Sequence, residues 1–230
     1  MYKTEPHLHT FPVSSCARLD ADTLIRLHRE AGYDTVIVSD HFSRLHHARL
    51  EIHLGRTLTR EQYVEQFYTG YEAAKAAGEK YGVRVLFSVE LSLASDHFLL
   101  YNADRDFLLS RTDLFDLTAE ELCAYAAAHG VTVIQAHPLR DGKCTPCPEY
   151  VDGFEVLNSH PRHENHNEEV QALANRYPHL LQTAGSDVHQ DVDVGGTAVL
   201  SEVPVESVGD YLRLLRSGNA KFLNWREKHE

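Results

Sequence analysis

The chain has 230 residues, 43% of them hydrophobic, with 22 Lys plus Arg against 34 Asp plus Glu and a formal net charge of -12. That length supports one sizeable core, so a single domain over residues 1–230 is expected, and the negative charge disfavours long nucleic acid and favours a small substrate. The opening MYKTEPHLHT lacks the basic start and apolar stretch of a signal peptide, no later run approaches the roughly 20 apolar residues of a membrane helix, and Cys16, Cys123, Cys144 and Cys147 are too irregularly spaced for a secreted disulfide framework. These features together imply a cytoplasmic protein with no membrane partner.

In chain order, a short opening strand leads into His7, and DADTLIRLHREAG reads as a helix that Asp20 can cap and Gly32 can terminate. DTVIVSD (34–40) is a strand. TREQYVEQFYTGYEAAKAAGEKYG is a long helix whose Thr59 and Gln62 match a capping box. Strands VRVLFSVE (83–90) and HFLLYNA (97–103) come next. Thr118 and Glu121 form a second box, opening a helix with Leu122, Tyr125 and Ala126 on its inner face and Gly130 at its end. Strands VTVIQAH (131–137), GFEVLNS (153–159) and LLQTAGSD (180–187) follow, with helices in HENHNEEVQALANRY and VESVGDYLRLLRSG. Strands alternating with helices, without a repeat or a linker, point to an α/β barrel or an open parallel sheet.

Ligand-type residues fall at the carboxyl ends of successive strands: His7 and His9, Asp40 and His41, Glu90, His137, then Asp187 and His189, while His97 opens its strand. In a parallel barrel those ends share one rim, so residues far apart in sequence meet there. His7-Leu8-His9 and Asp187-Val188-His189 each place two side chains on one side of an extended backbone, able to share an ion. Thr183, Ala184, Gly185 and Ser186 are small enough for close approach. Glu90 ends the apolar run VRVLFSV, where an inward carboxylate is costly unless paired or coordinating. Each element alone also reads as a solvated or hydrogen-bonded group at a strand end. Arg18, Arg140 and Arg162 closely follow site-forming segments and are candidate phosphate anchors, with a surface ion pair the plain alternative. Asn158, His160 and His163 lie in a polar loop that can bind substrate or support ligands. Cys144 and Cys147 read as a loop feature and Cys123 as a small core residue. His28, His46, His47, His53, His129, His179 and His229 are assigned no chemistry.

HLHT (7–10), SDHF (39–42), the Glu of SVELSL, AHP (136–138) and SDVH (186–189), in this order and each at a strand end, resemble the motifs of the PHP (polymerase and histidinol phosphatase) family. The resemblance implies a distorted (β/α)7 TIM-like barrel with up to three metals at the carboxyl end of its strands. It makes His7, His9, Glu90 and Asp187 ligands of one ion. Glu90 would bridge to a second ion held by His97 and His137, with Asp96 a possible substitute for His97; His41 and His189 would belong to a third. Asp187 and His189 carry the catalytic role. The family usually places an Asp or His shortly after its HxH element, where this chain has Ser14, Ser15 and Cys16. The third site is therefore expected to be weakly bound, water-rich or completed by a Cys16 thiolate, which would favour zinc over magnesium; the remaining ligands suit zinc, manganese or iron.

The activity implied is hydrolysis of a small phosphomonoester or nucleotide phosphate through a metal-activated hydroxide. The alternatives are an amidohydrolase-like C-N hydrolase, which usually needs a metal-bridging lysine on a barrel strand, and a non-catalytic metal-binding regulatory module. No lysine here ends an expected strand.

Overall fold

The computed structural model describes residues 1–224; His229 lies outside them. Strand β1 (Tyr2–Leu8) leads into helix α1 (Ala21–Glu30), where the Asp20 side chain accepts the Thr23 amide at 2.9 Å. Strands β2 (Thr35–Val38) and β3 (His41–Phe42), then helices α2 (Arg44–Leu54) and α3 (Arg60–Tyr81), follow. The Thr59–Gln62 capping box forms at the start of α3. Strands β4 (Arg84–Leu93) and β5 (Asp96–Tyr101) precede the short α4 (Arg105–Leu109) and then α5 (Ala119–Ala128), with its Thr118–Glu121 box. The chain continues through β6 (Thr132–Ala136), β7 (Gly153–Asn158), α6 (Asn167–Ala174), β8 (Leu181–Gly185), β9 (Thr197–Ser201), α7 (Val208–Arg216) and β10 (Lys221–Asn224). Beyond the expected elements, the structure adds β3, α2, α4 and the β9–β10 pair.

The wall runs β1-β2-β4-β5-β6-β7-β8, a distorted barrel as the family resemblance implies. It nearly closes where Leu8 bridges Val188: the His9 amide donates to the Val188 carbonyl at 3.1 Å and the Val188 amide to the His7 carbonyl at 3.3 Å. β9 lies antiparallel on the first residues of β1, and β10 on β9. All neighbours around the wall are parallel except β5, which is antiparallel to both β4 and β6. That reversal puts the start of β5, and so His97, on the rim where the other strands end.

Alternation along the strands divides the core into layers. Ile37, Leu86, Leu99, Tyr101, Ile134 and Ala136 point into the barrel and join Tyr211 of α7. Val36, Val38 and Val85 point outward against Leu24 and Ile25 of α1 and Ala74 and Ala77 of α3. Val89, Leu91, Phe98, Leu100, Val133 and Phe154 form the larger outer core with α3 to α6. The inward parity that carries Leu86 also carries Ser88 and Glu90. Among the described residues no helix is long and apolar enough to cross a membrane.

Candidate metal centre

Strand parity delivers much of the rim. His7 and His9 share the inward face of β1, since Leu8 between them packs outward beside α1. β3 pairs with β4 so that His41 lies opposite Glu90 and Phe42 opposite Leu91, which turns both polar members inward. His97 faces Ala136 across the β5–β6 ladder. Two residues arrive by breaking the rule: His137 (φ +33°) and Asp187 (φ +53°) adopt left-handed backbone that non-glycine residues seldom take. Ala136 already points inward, so regular strand geometry would turn the next side chain out. The strain at His137 swings the imidazole back over the rim, and such strain concentrates at functional sites.

All eight residues of the expected ligand set are brought together. Glu90 is the hub. Its Oε1 lies 3.1 Å from His97 Nδ1, 3.2 Å from His137 Nε2 and 3.4 Å from His7 Nε2, while Oε2 lies 3.7 Å from His9 Nε2 and in direct contact with His41 Nδ1. Asp187 Oδ1 lies 3.0 Å from His9 Nε2, 3.4 Å from His189 Nδ1 and 3.6 Å from His7 Nε2. Ligand-type atoms come within 4.8 Å of one another in the sets His7/His9/Asp187, His41/Glu90/His97 and His9/His41/His189.

The electrostatics prepare these groups as ligands. Burial alone would raise the carboxyl of Glu90, but His41, His97 and His7 hold it well below its usual range. Burial opposes ionisation of Asp187 too, yet Arg140 and His7 keep it ionised. Burial holds His9, His41 and His137 on the neutral side, which leaves lone pairs available. His7 goes the other way: burial lowers it, but the carboxylates of Glu155, Asp187 and Glu90 together hold it well above the ordinary imidazole value. An ion at its Nε2 would displace that proton.

Divalent ions fit this donor set. His7 Nε2, His41 Nδ1 and Glu90 Oε2 are buried and have no hydrogen-bond partner of proper geometry, although they crowd one another. A buried polar atom without a partner costs about 1 to 3 kcal/mol. Neutral imidazoles and ionised carboxylates aimed at common points relieve that cost by coordinating a cation.

Buried acids around the rim hold the ligands in place. Glu155, which sequence reasoning passed over, takes His7 Nδ1 at 2.9 Å and accepts the His137 amide at 3.1 Å and the Asn158 side-chain amide at 2.8 Å. Its signal was the one that marked Glu90, a carboxylate inside an apolar strand. Gly185 makes room for this pairing: a Cβ there would sit 2.6 Å from both Glu155 Oε1 and His7 Cβ. Asp40 is a support. It accepts the Thr10 amide at 2.7 Å, the Thr10 hydroxyl at 2.6 Å and the Ser14 hydroxyl at 2.6 Å, fixing the loop after the HxH element. Glu5 accepts the amides of His7 and Ser186, both at 3.0 Å, and burial pushes its carboxyl up to about 8.

The arginines divide. Arg140 donates to Asp187 Oδ2 at 2.6 Å and to Asn158 Oδ1 at 2.9 Å, so it is built into the cluster. Arg162 grips Asp193 at 2.8 and 2.6 Å, and Asp193 in turn accepts the amides of His189 and Gln190 at 2.9 and 2.8 Å. Arg18 is exposed, its amide tied to the His189 carbonyl at 2.8 Å. His160 lies between Arg162 and the His189 ring, and His163 is exposed beside Asp141. His46, to which no chemistry is assigned from sequence, lies with Cys16 and His41. Cys144 and Cys147 hydrogen-bond to the Ser95 carbonyl and Gln135, as a loop feature should, and Cys123 is buried in α5.

This barrel, with its histidine-rich rim, has the fold of PHP-like metal-dependent phosphoesterases. No family profile matches the chain, and no curated protein matches it by sequence. Solved structures do match. PsfC from Pseudomonas syringae PB-5123 aligns with a TM-score of 0.68 and 19% identity over 97% of this chain and 92% of its own. A two-domain protein from Bacteroides vulgatus ATCC 8482, containing a predicted PHP-like metal-dependent phosphoesterase, aligns with a TM-score of 0.63 and 18% identity over 97% of this chain and 64% of that longer one. An amidohydrolase from Chromobacterium violaceum, solved with bound sulfate and no metal, aligns with a TM-score of 0.56 and 15% identity over 96% and 97% of the two chains.

Proposed function

We propose that the chain is a metal-dependent phosphoesterase acting on a small phosphomonoester or nucleotide phosphate. The observation that carries this reading is the convergence of five imidazoles on the single buried carboxylate of Glu90, beside His189 and the Asp187–Arg140 pair. Two or three divalent ions (zinc, manganese or iron, with magnesium possible) would supply Lewis acidity and a water of lowered pKa there. The ligands are His7, His9, His41, Glu90, His97, His137, Asp187 and His189. Arg140 keeps Asp187 ionised and oriented. His189 is 11% exposed at its side chain, and its Nδ1–H donates to the Asp187 carbonyl at 2.8 Å. Its Nε2 is thereby the nitrogen left over, a lone-pair donor where it holds an ion and, where it holds none and is protonated, the group that would pass a proton to the leaving oxygen. Arg18, whose amide is tied to His189, would meet the phosphate oxygens, as would Arg162 with the donors that its pairing with Asp193 leaves over.

A C-N hydrolase is the second reading, favoured by the name of the Chromobacterium violaceum structure. Against it, Glu90 takes the hub position, and Lys143 is exposed and pairs with Asp141 at 3.8 Å. The deciding experiment strips the purified protein with a chelator, restores zinc, manganese or iron, and screens phosphomonoesters, nucleotide phosphates and amides. Metal-restored phosphoester hydrolysis that disappears in His9→Ala and Asp187→Ala is expected. Turnover of amides alone would replace this reading with the second.

A further inference from the structure

Beside the Glu90 hub the rim carries another set of ligand-type atoms, contributed by the loop after β1, by β3 and by α2. Cys16, His41 and His46 each place one such atom within 4.8 Å of the other two. Cys16 Sγ lies 3.6 Å from His46 Nε2. A tetrahedral ion with sulfur at roughly 2.3 Å and nitrogen at roughly 2.1 Å sets those two atoms roughly 3.6 Å apart. His46 is aimed from behind: its Nδ1 lies 3.0 Å from Ser43 Oγ, the hydroxyl that also accepts the His46 amide at 3.1 Å to cap α2. With Nδ1–H given to that hydroxyl, Nε2 presents its lone pair to the thiol, the usual outer support of a ligating histidine.

The thiol is held equally firmly. On one side of Cys16, the Ser14 amide donates to the Thr10 carbonyl at 2.8 Å and the Ser14 hydroxyl to Asp40; on the other, the Arg18 amide donates to the His189 carbonyl at 2.8 Å. His41 is shared, stacking on His46 at 4.4 Å and on His9 at 4.2 Å while touching Glu90. Its position links the Cys16–His46 pair to the hub.

We propose that Cys16 and His46, with His41, form a zinc-type site in which a thiolate and a helix-borne imidazole take the place of the acid or histidine that the stretch 14–16 lacks. The inference rests on the metal-dependent reading above. On binding, a sulfur–metal bond forms and the thiol proton leaves to solvent. The soft sulfur makes this position select zinc or cobalt over magnesium, while the mixed imidazole and carboxylate positions at Glu90 and Asp187 stay permissive among zinc, manganese and iron.

Cobalt(II) reports sulfur ligation directly, so the test titrates chelator-stripped wild type, Cys16→Ser and His46→Gln with cobalt, reading near-ultraviolet absorbance and bound metal by elemental analysis. A thiolate-to-cobalt charge-transfer band is expected in the wild type, absent in Cys16→Ser, with one fewer ion bound. His46→Gln removes a direct ligand, so it should weaken the ion that gives the band by more than the about 10- to 100-fold typical of losing an outer support. Cobalt bound without the band, or a band that survives in Cys16→Ser, would mean a hydrogen-bonded thiol only; the proposal falls and metal dependence stands. If no cobalt binds at all, both fall. Cys16→Ser preserves size in a half-buried loop, so it decides even if His46→Gln fails to fold.

Discussion

Replacing Glu155 with glutamine changes almost no volume and touches no expected ligand atom, yet it should cost metal affinity. Glu155 uses one oxygen for His7 Nδ1 at 2.9 Å and the other for the His137 amide at 3.1 Å and the Asn158 side-chain amide at 2.8 Å. The new amide has two ways to sit. With its nitrogen toward His137 and Asn158, donors face donors. With its nitrogen toward His7, the imidazole must accept at Nδ1 and carry its proton on Nε2, the atom 3.4 Å from Glu90 and 3.6 Å from Asp187. That proton blocks the lone pair an ion needs. A mispaired buried group costs about 1 to 3 kcal/mol, and lost outer support of a ligating histidine typically weakens metal binding about 10- to 100-fold. Competition against a chromophoric chelator measures the loss, with the melting temperature as a check on folding. Affinity within about twofold of wild type in a folded Glu155→Gln protein would refute the reasoning.

Burial raises the Glu5 carboxyl from 4.5 to about 8, so between those pH values the folded chain keeps a proton that the unfolded chain releases. Glu5 therefore makes the fold lose stability as pH rises through that window, by a few kcal/mol at most. In chelator-stripped protein, denaturant midpoints from pH 5 to 8 should fall more steeply for wild type than for Glu5→Gln; parallel profiles would contradict the assignment. Gly185→Ala pushes a methyl to 2.6 Å from Glu155 Oε1 and His7 Cβ, which should destabilise the fold by about 1 to 3 kcal/mol and weaken metal binding together. Stability and affinity equal to wild type would show that the contact relaxes freely. Under the proposed phosphoester hydrolysis, His189→Gln should lower kcat by about 10²- to 10⁴-fold, least for substrates whose leaving group needs no proton. An equal loss across leaving groups would assign His189 to metal binding alone.

The rim was legible because strand ends carry it. Period-two alternation put His7 with His9 and turned Glu90 inward, and the capping boxes at Thr59 and Thr118 formed where the spacing placed them. Other features depend on geometry that side-chain patterns do not encode. The reversed direction of β5 is what lets His97 reach the rim from the start of its strand, and the left-handed backbone at His137 and Asp187 appears only once the loops are seen. His46 escaped notice because α2 has no clear apolar stripe. Only His46 and Leu50, four residues apart, mark its buried face. Asp40 looked like a ligand at a strand end, but three short hydrogen bonds to Thr10 and Ser14 commit it to shaping the loop.

The most direct test of the metal cluster is an element-resolved anomalous-difference map from crystals of the full chain grown with zinc or manganese. Peaks roughly 2.0 to 2.2 Å from nitrogen and oxygen atoms of His7, His9, Glu90 and Asp187, with Glu90 shared between two of them, are expected. Fully loaded crystals with no peak at this rim, or with density confined to surface carboxylates, would contradict it.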